Sequence, residues 1–282
     1  MDSGGAWRTA ETNSLREAAA EREADLELVV TDAQDQTAKQ IADVEDLLAR
    51  RVAALFIAPR DYEGLEPALD AARHAQVPVF LIDRQAEGTP GVDYVSFLGS
   101  DFIAQGRRAA LWLAAHTHGT VRVVELVGTP GSSVARDRAV GFRDGLEGQD
   151  RLRIIASQTA NFSRSAARAV MTNLLQSLGD QVTAVFAHND EMALGAIQAI
   201  RAAGLQPGAA VTLVSIDGQR AALQAILAGD LGASVESNPR FGPLAFATLE
   251  RHWAGERVPS RILLEDRLFD AGNAREFLDQ AY

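Results

Sequence analysis

Short apolar runs alternate with amphipathic helical patterns along almost the whole chain. The runs are LELVV (26–30), VAALFIAP (52–59), VPVFLID (77–83), YVSFLG (94–99), VRVVELVG (121–128), RIIASQ (153–158), VTAVFAH (182–188), VTLVSID (211–217) and GASVES (232–237). Between the first two runs, residues 36–51 place Ile41, Val44, Leu47 and Leu48 on one helical face. Near-continuous apolar strands separated by helices are typical of parallel sheets that are covered on both faces.

The strands are too numerous for one small sheet, and a second series begins near residue 102. The pattern therefore predicts an α/β protein with two doubly wound, Rossmann-like lobes. We expect the N-terminal lobe to comprise residues 1–102 and 238–263, and the C-terminal lobe residues 103–237 and 264–282. A short strand near the C-terminus closes the chain, and a ligand cleft is expected between the lobes.

Composition narrows the class of function. The 282 residues carry a formal net charge of -11, and Lys39 is the single lysine. An acidic balance without basic clusters argues against binding to nucleic acid or to anionic membranes. The chain contains no cysteine, which excludes disulfides, thiolate metal sites and thiol catalysis. No apolar run reaches the length of a membrane span, and no signal peptide precedes the first helix.

Polar residues recur where predicted strands end. Asp83 and Arg84 follow one strand, Asn189 follows another, and Asp217 ends a third. In doubly wound sheets, ligands bind beyond the carboxyl ends of the strands, so three such positions together indicate a binding site. Each residue also has a structural interpretation. Asp83 and Arg84 could form a surface ion pair, Asn189 could cap a helix, and Asp217 could begin a turn.

The remaining motifs point away from catalysis and cofactors. The loop in ELVGTPGSSVARDR matches neither the dinucleotide-binding nor the P-loop pattern, so a nucleotide is not expected. The histidines show no metal-ligand spacing, and no G-x-S-x-G elbow is present. We therefore expect no catalytic residues, no metal and no cofactor.

An aromatic residue completes a set that suits a sugar. Trp7 and Arg8 stand at the opening of the first predicted helix. Carboxylates accept hydrogen bonds from sugar hydroxyls and guanidinium groups donate to them. The C–H face of a sugar can lie against an aromatic ring. A lone tryptophan is more often a packing residue, so this interpretation depends on the polar groups beside it.

Several stretches together carry a resemblance to a known family. They are DAQDQTAKQIADVEDLLARRVAALFIAP, PVFLIDR, VVELVGTPGSSVARDRAVGF, SQTANFSRS, VFAHNDEMALGAIQAIRAAG and VSIDG. In this order they resemble the ribose-binding-protein type of periplasmic sugar-binding proteins over almost the whole chain. Within that family, WRTAETN, AHNDEMALGAIQAI and SIDG look most like the galactofuranose-binding receptors of ABC importers.

The resemblance implies two lobes of a type I periplasmic binding protein that close around a monosaccharide by a hinge motion. Matched motif by motif, it implies sugar contacts from Trp7, Arg8, Asp83, Arg84, Arg138, Phe162, Asn189 and Asp217. Arg136 lies in the same helix as Arg138. Glu236 and Ser237 stand where the family places a glutamine. Arg8 replaces a second aromatic residue of ribose binders, which implies a more polar pocket for a different sugar.

The family further implies a monomeric, exported receptor, free or lipid-anchored, that delivers its sugar to a membrane permease and an ATPase. One departure concerns the start of the chain, because the family has a first strand ahead of the Trp-Arg helix. Here DSGG follows Met1 directly. We therefore expect an N-terminal lobe that lacks its first strand, through a misplaced start codon or a shortened chain, and that leaves unpaired edges.

Two competing functions belong to other classes. The first is the effector-sensing core of a LacI-type transcription regulator, which shares this fold but carries a helix-turn-helix and a basic surface that this sequence does not show. The second is a sugar-processing enzyme that uses Asp83 or Asp217. Glycoside hydrolysis needs two carboxylates across the scissile bond, whereas capture of a free sugar needs none.

Overall fold

The chain divides into two compact units. The computed structural model describes residues 5–22 and 26–282. Unit 1 holds the described part of Met1–Ser100 with Gly131–Ser133 and Asn238–Glu265, and unit 2 holds Asp101–Pro130, Val134–Ser237 and Asp266–Tyr282. The boundaries expected for ligand-binding lobes remain a prediction. Every helix within the described residues is too short or too polar to cross a bilayer.

Helices and strands alternate along the described residues. The α-helices are α1 (Ala6–Ala20), α2 (Thr37–Ala49), α3 (Glu66–His74), α4 (Phe102–His116), α5 (Ser133–Gly145), α6 (Arg164–Leu178), α7 (Asp190–Ala202), α8 (Arg220–Leu227), α9 (Gly242–Trp253) and α10 (Ala274–Phe277). The strands are β1 (Leu55–Ile57), β2 (Val79–Ile82), β3 (Ser96–Gly99), β4 (Val121–Val127), β5 (Leu152–Thr159), β6 (Ala184–Ala187), β7 (Thr212–Asp217), β8 (Ala233–Glu236), β9 (Arg261–Leu263) and β10 (Leu268–Asp270).

The sheet of unit 1 has the order β1-β2-β3-β9, and its neighbouring strands are all parallel. Its strands are continuous apolar runs because the core covers them: Phe80, Leu98 and Phe246 are all buried in one cluster.

Asp101 caps the start of α4 in unit 2, where its side chain accepts a hydrogen bond from the backbone N–H of Ala104 at 3.0 Å. That cap satisfies one of the helix's otherwise unpartnered donors.

The sheet of unit 2 has the order β10-β8-β7-β6-β4-β5, parallel except for the antiparallel edge strand β10. Its core includes a stacked pair, Phe142 and Phe186, with ring centroids 3.9 Å apart. The prediction of two α/β lobes built on parallel sheets is confirmed. Because the strands run in parallel, their carboxyl ends lie along one edge of each sheet, and the predicted polar residues follow those ends.

One predicted strand is wrong. Residues 26–30 form no strand, and no hydrogen bond joins the backbone of residues 26–31 to any other described residue. Leu26 and Leu28 nevertheless pack against the core of unit 1, so burial holds the segment in place. A strand also needs a neighbouring backbone edge, and the apolar pattern by itself does not supply one.

The expected absence of a first strand concerns residues 1–6. Residues 1–4 lie outside the described residues, Gly5 lies in a bend, and Ala6 opens α1. The expectation therefore stays a prediction. In the described part of unit 1, β1 is an edge of the sheet, and a cavity of about 770 Å³ is lined by residues 26–33 and by β1.

Two glycines set the spacing between α4 and α5. A Cβ atom placed on Gly106 would lie 2.1 Å from the backbone oxygen of Arg138, and one on Gly141 would lie 1.9 Å from that of Ile103. Both clashes are with backbone atoms, so a rotamer change would not relieve them. Glycine is required at both positions because the two helix backbones approach this closely, and their approach fixes where Arg138 lies.

We expect Gly106→Ala to destabilise the protein by about 2 kcal/mol or more, the cost of overpacking a close contact that must shift backbone. Urea denaturation followed by circular dichroism measures this change. Leu111→Ala on the same helix is the control, since Leu111 is 46% exposed and should change stability by less than about 0.5 kcal/mol. Equal stability of Gly106→Ala and the control would contradict the close approach of α4 and α5.

Candidate functional site

A cluster of buried charges lies at the carboxyl end of β2 in unit 1. Arg8, on α1, donates one hydrogen bond to Asp83 and another to Glu11 at 2.5 Å. Arg84 donates to the backbone oxygen of Arg60 at 2.9 Å, and its Nε lies 3.7 Å from Oδ2 of Asp83. Asp83 is 5% exposed and Arg84 7%, so the interpretation of these two residues as a surface ion pair is wrong.

The backbone turns sharply at Asp83. Its φ is 59°, in the left-handed region that non-glycine residues seldom adopt and that Asp tolerates better than most. The Asp83 N–H donates to the oxygen of Leu98 on β3 at 2.9 Å. The adjacent strand therefore holds the turn and fixes the carboxylate at the sheet edge.

Trp7 lies beside this cluster. The Arg8 guanidinium lies 4.6 Å from the centroid of the Trp7 ring, within the range of a cation–π interaction. On another side, the ring is 6.0 Å from the ring of buried Phe241. Trp7 is thus held by packing against Phe241 and by the charge of Arg8. It is a packing residue and, at the same time, lies next to the candidate site.

Burial and neighbouring charges shift the pKa values of this cluster. Burial raises the pKa of Glu11 from an ordinary 4.5 to about 7, and the Arg8 charge opposes that rise. Burial lowers the pKa of Arg84 to about 10, and the positive charge of Arg8 lowers it further. Glu11 is not among the residues predicted from the sequence. Its position three residues after Arg8 on a helix was the available signal, because that spacing brings side chains together.

A second cluster of buried charges lies in unit 2, around Arg138. The Arg138 guanidinium, on α5, donates to Gln105 at 3.0 Å, to the backbone oxygen of His188 at 2.6 Å and to Asp217 at 3.4 Å. Arg138 is 3% exposed, and Asp217 is also buried. Gln105 is itself anchored, since it donates to Asp266 at 2.8 Å. The structure therefore brings the candidate residues Arg138 and Asp217 together, and adds Gln105.

Asn189 and Phe162 lie next to each other in unit 2. The side-chain oxygen of Asn189 accepts a hydrogen bond from the N–H of Met192 at 3.0 Å, so Asn189 does cap α7. Its Nδ2 donates to the backbone oxygen of Phe162 at 3.4 Å. Phe162 (φ 56°) and Asp217 (φ 140°), like Asp83, have positive φ values. Such conformations concentrate at binding sites, where the surrounding structure holds them.

Three further candidates are placed differently. Arg136 is exposed along nearly half of its side chain and donates to Asp137 at 2.8 Å. The carboxylate of Glu236 accepts a hydrogen bond from the backbone N–H of Arg267 at 3.0 Å, and Arg267 immediately precedes the edge strand β10. Ser237 is buried, and its N–H donates to the oxygen of Asp217 at 3.1 Å. Of these three, Glu236 and Ser237 lie next to Asp217, since Glu236 is its register partner across β7 and β8 and Ser237 donates to its backbone oxygen.

A buried pair, Glu125 and His188, adjoins the Arg138 cluster and was not predicted from the sequence. Glu125, inside β4, accepts from His188 at 3.0 Å, from Ser157 at 2.7 Å and from Arg143 at 2.7 Å. Burial opposes ionisation of Glu125, yet these hydrogen bonds and charges hold its pKa below the ordinary value. A glutamate within the apolar run VRVVELV was the available signal, because a buried charge needs partners.

His188 has a fixed tautomer. Burial lowers its pKa, and Glu125 opposes that shift, so the ring is neutral at neutral pH. The N–H of Gly128 faces Nδ1 at 3.4 Å, which makes Nδ1 the acceptor and leaves the proton on Nε2 to be donated to Glu125. The ring thereby fixes the backbone carbonyl that receives Arg138. Among the described residues, no group of His, Asp or Glu side chains could hold a metal ion.

Comparison with known proteins matches this arrangement to one family. Residues 1–257 match the model of the periplasmic binding protein domain. The chain belongs to the periplasmic binding protein family. It is 37% identical over 278 residues to the galactofuranose-binding protein YtfQ of Escherichia coli, covering 97% of this chain and 87% of that protein. The resemblance identified in the sequence, and the type I binding-protein fold that it implied, are confirmed.

Two solved structures are also similar to this chain. A Mycobacterium smegmatis protein in complex with β-D-fucofuranose is 38% identical, with a TM-score of 0.91 over 97% of this chain and 90% of that one. The binding protein of the arabinose ABC transporter from Shewanella sp. ANA-3, bound to α- and β-L-arabinofuranose, is 34% identical. Its TM-score is 0.94 over 99% of this chain and 92% of that one.

We expect the stability of the protein to fall as pH rises from about 4.5 to 7, in part because of Glu11. A folded-state pKa near 7, above the ordinary 4.5, means that the folded state binds the proton more tightly than the unfolded state. This contribution is therefore complete below pH 4.5 and is lost as pH rises through 7, by up to about 3 kcal/mol.

Urea denaturation at a series of pH values, on the wild type and on Glu11→Gln, measures this effect. The variant should show a flatter profile between pH 6 and 7, above the range where Asp190, with a pKa of about 6, contributes most. Glu17→Gln, an exposed change on the same helix, is the control. An identical slope in Glu11→Gln and the wild type would contradict the assignment.

Proposed function

We propose that the protein is the substrate-binding receptor of an ABC-type sugar importer. The observation that carries this proposal is the pair of buried polar clusters at the carboxyl ends of parallel strands, around Asp83 in unit 1 and around Arg138 in unit 2. Each cluster combines a guanidinium donor with a carboxylate acceptor. Each also has an aromatic residue nearby, Trp7 or Phe162.

A neutral sugar suits these clusters better than a charged ligand. Within each cluster, arginine and aspartate balance one another, so neither cluster offers a large excess of one sign. A sugar hydroxyl both donates and accepts, and it can therefore address a carboxylate and a guanidinium at the same time. Charge-assisted hydrogen bonds of this kind are short and directional, which orients the sugar.

We propose a sugar in the furanose form as the preferred ligand. Of the three similar proteins described above, one is named for galactofuranose, and the other two have β-D-fucofuranose and L-arabinofuranose bound. A hexofuranose or pentofuranose presents its hydroxyls around a five-membered ring with an exocyclic arm. We expect Trp7 and Phe162 to contact the C–H surface of the sugar, and Asp83, Arg84, Asn189 and Asp217 to bind its hydroxyls. We expect Arg8 and Arg138 to donate hydrogen bonds to sugar hydroxyls as well.

The proposal includes the setting of such a receptor. The protein acts as an exported monomer that hands its sugar to a membrane permease and its ATPase, and it binds no nucleic acid. It does not transform the sugar. The LacI-type regulator is not favoured, since the similar proteins are transport receptors and the net charge of -11 opposes binding to DNA.

We expect a selective thermal shift with a furanose-forming sugar. A ligand that binds only the folded state raises the melting temperature with its occupancy, by the equivalent of about 2.7 kcal/mol at a hundredfold excess over Kd. The panel is galactofuranose, galactose, arabinose, ribose and glucose. Recovery of the sugar unchanged, by mass spectrometry and NMR, tests the absence of catalysis. No shift with any sugar in a folded sample would sink the proposal.

A pair of arginines two residues apart tests the site. We expect Arg138→Ala to weaken sugar binding by about tenfold to a hundredfold, since a charge-assisted hydrogen bond contributes roughly 1.5–3 kcal/mol. Arg136→Ala, from the same helix but with an exposed side chain, should change affinity by less than about threefold. Isothermal titration calorimetry measures both, and circular dichroism confirms that each variant folds. A larger loss in Arg136→Ala would reverse the assignment.

A further inference from the structure

His188 is joined to three of the candidate ligand contacts in unit 2. Its backbone oxygen accepts a hydrogen bond from Arg138 at 2.6 Å, and the next residue, Asn189, caps α7. On its other side, the ring receives the N–H of Gly128 at Nδ1, at 3.4 Å. His188 is fully buried, so it influences a ligand through these neighbours and not by direct contact.

The hydrogen bond to Gly128 extends this influence to the aromatic candidate, Phe162. A Cβ atom placed on Gly128 would lie 2.0 Å from Cζ of the Phe162 ring, so the ring lies directly against the Gly128 backbone. Protein interiors are close-packed, and a displaced backbone displaces the side chain that rests on it. One imidazole therefore supports both a charged and an aromatic candidate contact.

Both partners of the His188 ring require a neutral imidazole with its proton on Nε2. Glu125 accepts from Nε2 at 3.0 Å, and Gly128 needs an acceptor at Nδ1. Protonation of Nδ1 would set two N–H donors against each other. The buried N–H of Gly128 would then lose its acceptor, which is costly for a group away from water.

The charges around the ring act in opposite directions on its proton affinity. Burial has the largest effect and lowers the pKa below the ordinary 6.5. Glu125, from β4, raises the pKa, whereas Arg138 and Arg143, from α5, lower it further. Asp217, at the end of β7, pairs with Arg138, and Asp190 begins α7 two residues after the ring. A proton on the ring would add a positive charge beside Arg138.

We propose that His188 is a positioning residue that makes sugar binding by this protein depend on pH. The neutral ring holds Arg138 and, through Gly128, Phe162 in the arrangement that binds the sugar. The protonated ring releases both, and the affinity falls. This role rests on the proposed function, because it concerns the affinity of the same site. A neutral sugar carries no titrating group in this range, so the pH dependence comes from the protein.

Nuclear magnetic resonance on the protein without sugar tests this coupling first. We expect the ¹⁵N signals of the His188 ring to show the Nε2–H tautomer at neutral pH and protonation below pH 6.5. The Gly128 amide signal and the Arg138 guanidinium signals should change with the same midpoint. A ring that stays neutral down to pH 5, or signals of Gly128 and Arg138 that do not follow it, would overturn the proposal.

Calorimetric titration with galactofuranose at pH 8 and pH 5 then compares two substitutions of His188. The amide of His188→Gln can accept from Gly128 and donate to Glu125, and it does not titrate. Wild-type affinity should fall by about tenfold at the lower pH, the loss of one charge-assisted hydrogen bond. His188→Gln should bind nearly as well as the wild type at pH 8 and keep that affinity at pH 5. His188→Ala should bind about tenfold more weakly at both.

The charge of Arg143 offers a milder test, since its side chain is 49% exposed. Its positive charge lowers the pKa of His188, so Arg143→Gln should move the acid-side loss of affinity to higher pH. Arg153→Gln removes another exposed charge from unit 2 and is the control, which should leave the midpoint unchanged. An identical midpoint in both variants would contradict the assignment to His188.

Failure of this proposal differs from failure of the proposed function. Sugar binding with the same acid-side loss in the wild type and in His188→Gln would overturn the role of His188 and leave the receptor function standing. Equal wild-type affinity at the two pH values would do the same. Absence of binding by every sugar, with Gly128 and Arg138 still following the ring in the free protein, would overturn the receptor function and, with it, the role in binding, but not the coupling.

Discussion

The burial of Arg138 is the constraint on which most of unit 2 depends. A guanidinium group that is 3% exposed cannot be hydrated, so the fold must supply its acceptors. They come from Gln105 on α4, from the carbonyl before α7 and from Asp217 at the end of β7. One side chain thus ties three segments that are far apart in the sequence. The glycine contacts between α4 and α5 follow from this need, because a wider helix spacing would move Arg138 away from its acceptors.

The same constraint extends one layer behind Arg138. The acceptor at the shortest distance from Arg138 is the backbone oxygen of His188, and the position of that oxygen depends on how firmly His188 is held. The His188 ring is held between Glu125 and the N–H of Gly128, and Glu125 in turn is held by Ser157 and Arg143. Such a network is stable only when each member is satisfied. The glutamate inside β4 is therefore explained by the arginine at the sheet edge, although the two side chains do not touch.

The sequence predicted the parts that depend on local pattern. Parallel strands, helix faces and the polar ends of β2 and β7 all follow from periodicity and from the rule that ligands bind beyond strand ends. It failed at residues 26–30, where an apolar run has no backbone neighbour to pair with among the described residues. It also missed Glu11, although Arg8 stands three residues before it on the same helix, and Gln105, whose partners Arg138 and Asp266 lie far along the chain. Family resemblance supplied Arg138 and Phe162, since spacing alone does not distinguish Arg138 from Arg136.

Backbone strain at the candidate residues has the same physical origin as the buried charges. Asp83, Phe162 and Asp217 all adopt positive φ, which costs of order 1–3 kcal/mol at each such position. The folded structure sustains that cost through the surrounding sheet and hydrogen bonds, and the side chains are thereby oriented before any ligand arrives. A site of this kind loses little side-chain entropy on binding, so more of each hydrogen bond contributes to affinity. The strained backbone conformations therefore lower the free energy of unfolding, but they fix the donors and acceptors at the sheet edges. A ligand must match these fixed positions, which makes binding selective.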